Sequence, residues 1–585
     1  MAGIITFHFD DGHNSHYEKA FPVFQKYGYA GCLALIANPD IGMGFARARE
    51  MQDAGWEILC HSVTHPRMSA PMAVPDAERE LLESKRILEN AGFVIREFIT
   101  PCSELHPSLR PAAEAVYDAA FTRYTNSAAQ PITELVIERH PVNRYDLHRA
   151  CLSGKTDDEL YAYVDYVREN DAWLVFYDHD LGEGTNITAE RLDALLAYIK
   201  KSGVSVKTSA QVLDGETALT KIVREGWDGR ECFVHARMAS DGADRLLITA
   251  QKLNVAGDDC FDRLNVNYSR DGGRTWTDFV PDDGFAPQYR DGVRSVCCDM
   301  TPLWHKKTGK FLVTGHIAQY EGDSIVPIRS SALRRVTPYA VFDPETLKFT
   351  PFRTVGMPDP VKYCNCGSGC SQCCELPDGD LLVPVSYGEL VNGEMQKSKA
   401  AVMRCSFDGE TLAVRTIGAP IAVPDEVRGI GECSVAYADG AYFLTIRGDT
   451  YGYVSRSENG LDYTEPIIWR WEDGEIVPTY NTQSHFMDCG GRLWLVYTRK
   501  AGNNDHVFRH RAPLFVSEVD TKTMRLKRET EFIAVPERGA RLGNFGVCYK
   551  NEHESMVVVT EWMQPKGCET HGSDNALWVT DIRMQ

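Results

Sequence analysis

Ile4-Ile5-Thr6-Phe7-His8-Phe9-Asp10-Asp11-Gly12 runs an apolar, β-prone stretch straight into two adjacent carboxylates. Such a run, bounded by a turn signal, reads as a buried strand, and the carboxylates fall at its C-terminal end. The same grammar recurs downstream. Trp56-Glu57-Ile58-Leu59-Cys60 leads into His61-Ser62-Val63-Thr64-His65, Thr100-Pro101-Cys102 closes a further run, and Trp173-Leu174-Val175-Phe176 leads into Tyr177-Asp178-His179-Asp180. In an α/β barrel the C-terminal strand ends share one face, where reacting groups gather. One site assembled from four strand ends is therefore expected.

Around those ends, short β-like runs alternate with amphipathic helical segments, the order of a parallel sheet or barrel. Strands are predicted over Ile4–Phe9, Gly31–Ile36, Trp56–Cys60, Glu97–Thr100, Phe121–Tyr124, Trp173–Tyr177 and Val204–Lys207, about seven against the eight of a complete barrel. One helix is expected to open with Asp76 as its cap and stop at Gly92; another opens at Thr188-Ala189 and closes at Gly203. Residues 1–213 thus read as an irregular (β/α) barrel.

Helical periodicity ends at Leu213. Residues 214–230, with Gly215, Gly226 and Gly229 among polar side chains, read as a linker. Residues 231–585 read as strands punctuated by turns, in a loose four-strand recurrence. Ser269-Arg270-Asp271-Gly272-Gly273-Arg274-Thr275-Trp276 marks it most clearly: Asp-Gly-Gly closes a hairpin and the tryptophan fastens it to a sheet. Ser406-Phe407-Asp408-Gly409 and Ser457-Glu458-Asn459-Gly460-Leu461-Asp462-Tyr463 are weaker echoes. With each copy as one blade, units near 232–276, 293–353, 368–416, 431–469, 484–528 and 541–582 predict an all-β six-bladed propeller.

A chain of 585 residues with 43% hydrophobic content exceeds one core and should be multidomain. Its net charge of −20, from 62 basic and 82 acidic side chains without a basic run, argues against nucleic acid and anionic membranes as partners. No apolar stretch approaches the ~20 residues of a membrane span. Met1-Ala2-Gly3 enters the first strand without a charged-then-apolar leader, so a cytoplasmic location is expected. There the 18 cysteines should remain thiols. Cys364-Asn365-Cys366-Gly367-Ser368-Gly369-Cys370-Ser371-Gln372-Cys373-Cys374 is dense in sulfur but lacks the paired spacing of structural zinc sites, which makes packed thiols the expectation.

Side-by-side carboxylates at a strand end can divide labour, one binding a cation while its neighbour takes a proton from water. Asp10 and Asp11 are so placed. His61 and His65 meet on one face if their loop turns helically, and both imidazoles then reach one cation. With Asp11 they form a two-nitrogen, one-oxygen set that favours zinc, with cobalt or nickel fitting similarly. His179, from a distant strand, is placed to protonate a leaving group. Singly, Asp-Asp-Gly is a common turn and His-x3-His a common helix surface; their order and strand-end positions make them a site.

In that order the motifs resemble those of the polysaccharide deacetylases of NodB-homology type, over roughly residues 4–212. The resemblance implies Asp10 as catalytic base, Asp11, His61 and His65 as ligands of a divalent metal, and His179 as general acid. The implied reaction is metal-assisted removal of an acetyl group, usually from an amino sugar. A third-motif arginine that orients the base is also implied. Ile99-Thr100-Pro101-Cys102 stands in its place, and Arg149, after Tyr145-Asp146-Leu147-His148, is the candidate substitute.

The 269–276 stretch resembles the Asp-box of sialidase-like propellers, a fold marker remote from the active site. A sialidase site would imply three arginines on the substrate carboxylate, a tyrosine nucleophile with its glutamate, and an aspartic acid. Arg237, Arg447 and Arg499 are the candidate arginines, Glu432 the glutamate, Asp259 or Asp262 the acid, and Tyr549 the candidate tyrosine. Arginines grouped in a central funnel favour a carboxylate-bearing sugar by bidentate pairing. The expected function is a metal-dependent carbohydrate deacetylase, acting on an acetylated sugar or oligosaccharide, coupled to a propeller that binds or cleaves the same glycan. Two alternatives stand beside it: a sialidase-like exo-glycosidase carried on a degenerate barrel, and a non-catalytic glycan-binding propeller.

Overall fold

The computed structural model describes residues 3–123, 130–137, 142–170, 172–182, 184–213, 218–223, 226–328 and 336–584. Tyr124, and residues 214–217 and 224–225 of the predicted linker, lie outside these. The chain divides into two compact units, Met1–Thr220 and Lys221–Gln585.

In the first unit the apolar runs become β1 (Ile4–Phe9), β2 (Cys32–Leu35), β3 (Glu57–Cys60), β4 (Ile95–Ile99), β5 (Ala119–Phe121), β6 (Ala150–Cys151), β7 (Trp173–Asp178) and β8 (Ser205–Val206). They pair in parallel in the order β5-β4-β3-β2-β1-β7-β6, with β8 beside β1. A parallel bridge from Phe121 to Leu147 joins the β5 edge to the segment entering β6, so the sheet curls into an irregular barrel. Central β1 is buried throughout, which explains its unbroken apolar sequence. Its alternate residues diverge: Ile5, Phe7 and Phe9 pack with Phe24 and Leu195, whereas Ile4 joins Trp173, Val175 and Phe121, the period of two of a strand.

Three features differ from the sequence reading. β6 is two residues long, too short to leave a pattern. The helix assigned to Asp76 starts at Val74 with Ala73 as N-cap. It is then interrupted by a π turn at Arg79–Glu83 before ending at Asn90, and that turn buries Glu80. The second helix, Ala189–Ser202, has Thr188 as N-cap and Gly203 at φ 78° as C-cap, matching its sequence signals.

Among the described residues the second unit holds six antiparallel blade sheets over residues 231–281, 288–354, 365–417, 431–468, 485–535 and 546–583, one per blade of a six-bladed propeller, and a separate two-stranded ribbon at 390–395. The last blade is completed by Ala218–Val223, so part of the predicted linker is a strand that ties the two ends of the ring into one sheet. In the marker hairpin, the Asp271 carboxylate accepts from the Thr275 backbone N–H and hydroxyl (2.9 and 2.6 Å), and Trp276 Nε1 donates to the Gly273 carbonyl (3.0 Å).

Buried His485 reports on this unit. The Gln483 amide nitrogen, a donor only, faces its Nε2 at 2.9 Å, so Nδ1 carries the proton and donates to Ser434 Oγ at 2.7 Å. Burial, reinforced by the Arg237 charge, lowers its pKa to about 3. The unfolded chain takes up this proton below pH ~6.5 and the folded chain does not, so stability falls as pH falls. Urea titrations should show a loss of about 1.4 kcal/mol per pH unit between pH ~6.5 and ~3 attributable to this group. The slope should be shallower in His485→Gln; equal slopes would refute the assignment.

Candidate functional site

Asp10 follows β1 and its backbone N–H donates to the Asp178 carbonyl at 3.0 Å. Its side chain is buried against Arg149, whose Nη1 lies 2.7 and 2.9 Å from the two carboxylate oxygens. Arg149 also stacks on Tyr177, its guanidinium carbon 4.4 Å from the ring centroid. Burial pushes the Asp10 carboxyl up, but Arg149, His61 and His179 outweigh it and hold the pKa at about 2. The third-motif position carries Cys102 at φ 57°, and it is Arg149 that meets the carboxylate.

Asp11 sits at φ 68°, a left-handed conformation that Asp tolerates better than most residues. Its Oδ1 lies 3.4 Å from His61 Nε2 and 3.2 Å from His65 Nε2. His61 Nδ1 is 2.8 Å from the Ile99 carbonyl; a carbonyl only accepts, so Nδ1 carries the proton and Nε2 turns its lone pair to Asp11. Asp11 Oδ1 is buried without a hydrogen-bond partner. A carboxylate oxygen facing an imidazole lone pair at this distance is repulsive unless a cation or proton stands between them, so these three residues fit a divalent metal.

The two histidines do not converge by a helical turn. Ser62 and His65 take φ 63° and 54°, and the loop is pinned by Glu80, which accepts from the Val63 and Thr64 N–H groups (2.9 Å each) and the Thr64 hydroxyl (2.8 Å). A π turn at a functional site is a recurrent device. Glu80 and His13, whose Nε2 lies 3.6 Å from Asp11 Oδ2, were missed by sequence reasoning: neither spacing nor a strand end marks them.

His179 is half-buried, its ring 5.9 Å from that of Tyr177. Asp178 positions it, accepting from the His179 N–H (2.9 Å), the Ser153 hydroxyl (2.8 Å) and the Ile187 N–H (2.8 Å).

Along the propeller axis, His235, Asp299, Cys370, Glu432 and Asn481 all have φ between 46° and 58°. The ladder slips at His235, Asp299 and Glu432, and such bulges re-aim side chains. Glu432 and Arg447 form an ion pair. Arg447 Nη2 also donates to Asn481 Oδ1 (2.6 Å), and Arg511 donates to the Asn481 carbonyl (2.5 Å). Burial, with Arg447 and Arg541 nearby, lowers the Arg511 pKa to about 9. Asp259, whose charge reaches Arg509 and Arg541, lines a cavity of about 370 Å³ with His316 and Arg428.

Two predicted arginines are placed otherwise. Arg237 is fully buried, donating to Gln483 Oε1 (3.1 Å) and the Ala236 carbonyl (3.0 Å). Arg499 pairs with Glu531 through Nε (2.8 Å) and Nη2 (2.6 Å) and lies 4.1 Å over Phe515, within its own blade. Arg511 stands with Arg447 instead, on a segment without strand pattern that left no signal. Asp262 is exposed. Tyr549 lines a separate cavity of about 390 Å³ with Trp304 and Asp488, apart from Glu432 and Arg447. Among the described residues, the cysteines of the 364–374 cluster form no disulfide.

A barrel with this strand-end constellation and a six-bladed propeller define a two-module architecture. Residues 2–113 match the polysaccharide deacetylase family model, so the first unit carries a polysaccharide deacetylase domain. YxkH of Bacillus subtilis (strain 168), whose name places it provisionally among the polysaccharide deacetylases, is 25% identical over 165 residues, 27% of this chain and 56% of YxkH. The chain thus spans about half the length of that curated relative. Among solved structures, Trypanosoma rangeli sialidase with sialic acid shares 13% identity at TM-score 0.43, covering 62% of this chain and 58% of its own. The Hadza microbial sialidase Hz136 shares 13% at 0.42, covering 60% and 66%. A Bacillus anthracis CE4 family pseudoenzyme, BA3943, shares 16% at 0.27, covering 36% and 66%.

Proposed function

We propose that the first unit is a metal-dependent deacetylase of an acetylated sugar, an acetylated amino sugar foremost. The observation that carries this reading is the buried Asp10–Arg149 pair beside the orphaned Asp11 oxygen that His61 and His65 face. Asp11, His61 and His65 would hold the metal, zinc first by donor set. When bound, it supplies Lewis-acid polarisation of the acetyl carbonyl and acidification of water. Asp10, kept ionised by Arg149, takes the proton of the attacking water. Arg149 fixes the carboxylate through two contacts from one nitrogen. His179, its backbone clamped by Asp178, gives a proton to the departing amine.

Acetate release from N- and O-acetylated sugars, with metal-depleted and zinc-reconstituted protein, tests the reading. Release that follows zinc, falls below about a hundredth of wild type in His61→Ala and is accompanied by metal loss is expected. Release indifferent to metal would overturn it.

A second reading concerns the propeller and is favoured by the Arg447–Arg511–Arg541 grouping: it engages a carboxylate-bearing sugar by charge-assisted hydrogen bonds. Turnover of an aryl sialoside lost in Glu432→Gln would make it a glycosidase; binding without turnover would make it a recognition module. Among the described residues no helix is long and apolar enough to cross a membrane.

A further inference from the structure

Blade two carries a cluster of metal-ligating side chains that the arginine grouping does not use. Cys298 and His316 are direct partners across neighbouring strands, and Asp299 occupies the adjacent bulge at φ 51°. The Cys298 sulfur, an Asp299 oxygen and a His316 nitrogen all lie within 4.8 Å of one another. Cys298 and Asp299 are buried, while His316 is half-buried.

The two Asp299 oxygens have different neighbours. Oδ2 faces His316 Nε2 at 3.8 Å, while Oδ1 faces His235 Nδ1 at 3.3 Å and Arg237 Nη2 at 3.4 Å. His235 is 2% exposed and its Nδ1 makes no hydrogen bond. On its other side His316 is walled by backbone: a Cβ at Gly369 would fall 1.6 Å from His316 Nδ1, so the ring has a fixed seat. Oxygen and nitrogen donors bound about 2.0–2.2 Å from a tetrahedral cation stand about 3.3–3.5 Å apart, so the 3.8 Å between Asp299 Oδ2 and His316 Nε2 needs to close by only a few tenths of an ångström. The barrel trio has similar spacings of 3.2 and 3.4 Å.

We propose that Cys298, Asp299 and His316 form a second divalent-metal site, in the propeller, for a cation of the zinc class. Asp299 binds through Oδ2; His235 and Arg237 act on Oδ1 as positioning residues. Arg237 Nη2 donates to Asp299 Oδ1 (3.4 Å) as well as to Gln483 Oε1 (3.1 Å), so its charge falls on the oxygen the cation does not use. Hydrogen bonding to the second oxygen of a ligating carboxylate is a common way to orient it. A thiolate, an imidazole and one carboxylate select zinc over calcium or magnesium, which want oxygen donors. Binding breaks the S–H bond of Cys298, forms one sulfur–metal bond and releases one proton to solvent. His316 also lines the 370 Å³ cavity, which provides an entry path and leaves the fourth position open to solvent or ligand.

Cobalt(II) reconstitution of the full chain tests this, because only a thiolate ligand gives a sulfur-to-cobalt charge-transfer band in the near ultraviolet. The nitrogen and oxygen set of the barrel gives none, so the band reports a thiolate site, which its loss in Cys298→Ser assigns to Cys298. The expected result is about two cobalt ions per chain with the band present. Cys298→Ser should abolish the band, and His316→Gln, on the cavity wall where packing is least disturbed, should reduce it and lower the metal content to about one. Asp11→Asn should remove the other ion and leave the band intact, which separates failure of this site from failure of the barrel reading. A wild-type chain without the band, or a band unchanged in both Cys298→Ser and His316→Gln, would overturn the proposal.

Discussion

Asp10→Asn is expected to lower acetate release by about 10²–10⁴-fold, the range for loss of a general base, with metal content close to wild type and some loss of stability, because the buried Arg149 guanidinium loses its counter-charge. Asparagine keeps the shape of the side chain, and its amide oxygen still accepts from Arg149 Nη1, now 2.7 Å from Asp10 Oδ1. What disappears is the anionic proton acceptor. Asp11, His61 and His65 are untouched, so elemental analysis should find the barrel metal retained. The split between lost turnover and retained metal separates a catalytic role for Asp10 from a ligand role. Release within tenfold of wild type would remove Asp10 from the mechanism.

Arg149→Met should act first on stability. The guanidinium and the Asp10 carboxylate are 5% and 2% exposed, and removing one partner of a buried pair leaves an uncompensated charge, at a cost of about 3–5 kcal/mol. Denaturant unfolding of the barrel should show this loss. Asp10→Asn added to Arg149→Met should recover a substantial part, because no bare charge then remains; the two changes are non-additive, as expected for residues in contact. Activity should fall as well, since burial without Arg149 drives Asp10 towards its protonated form, which cannot accept a proton. A cost below about 1 kcal/mol would mean that the pair behaves like a solvent-screened surface bridge.

Much of the architecture was legible because its signals are local. β1, β3 and β7 read as continuous apolar runs because helices cover one face and the barrel interior the other. The six blades could be placed because Asp-Gly and Asn-Gly turns recur within them, closing hairpins between neighbouring strands. What escaped was short or conformationally unusual: β6 lacks the length to show a period, and Ala218–Val223 becomes a strand only by joining a sheet formed more than three hundred residues later. The path of His61-Ser62-Val63-Thr64-His65 followed no helix, because its left-handed residues are held by Glu80 from another element.

In the candidate sites the same division holds. Asp10, Asp11, His61, His65 and His179 each follow a recognisable strand, so their shared face could be read. Arg237, Arg447 and Arg499 look alike in sequence, each a charge at or just beyond a strand. Only their partners distinguish them: Gln483 for a buried Arg237, Glu531 within a blade for Arg499, and Glu432 at the axis for Arg447.

By itself the order of residues determined the two modules, the blade count and the gathering of paired carboxylates and histidines at strand ends. These follow from alternation and turn chemistry within a few residues. The tertiary structure alone decided that Arg149 clasps Asp10, that Arg511 joins Arg447, and that Cys298, Asp299 and His316 bring one ligand atom each within 4.8 Å of one another. Asp10 and Arg149 are separated by 139 positions along the chain and 2.7 Å in space, and electrostatic energy depends on the second distance.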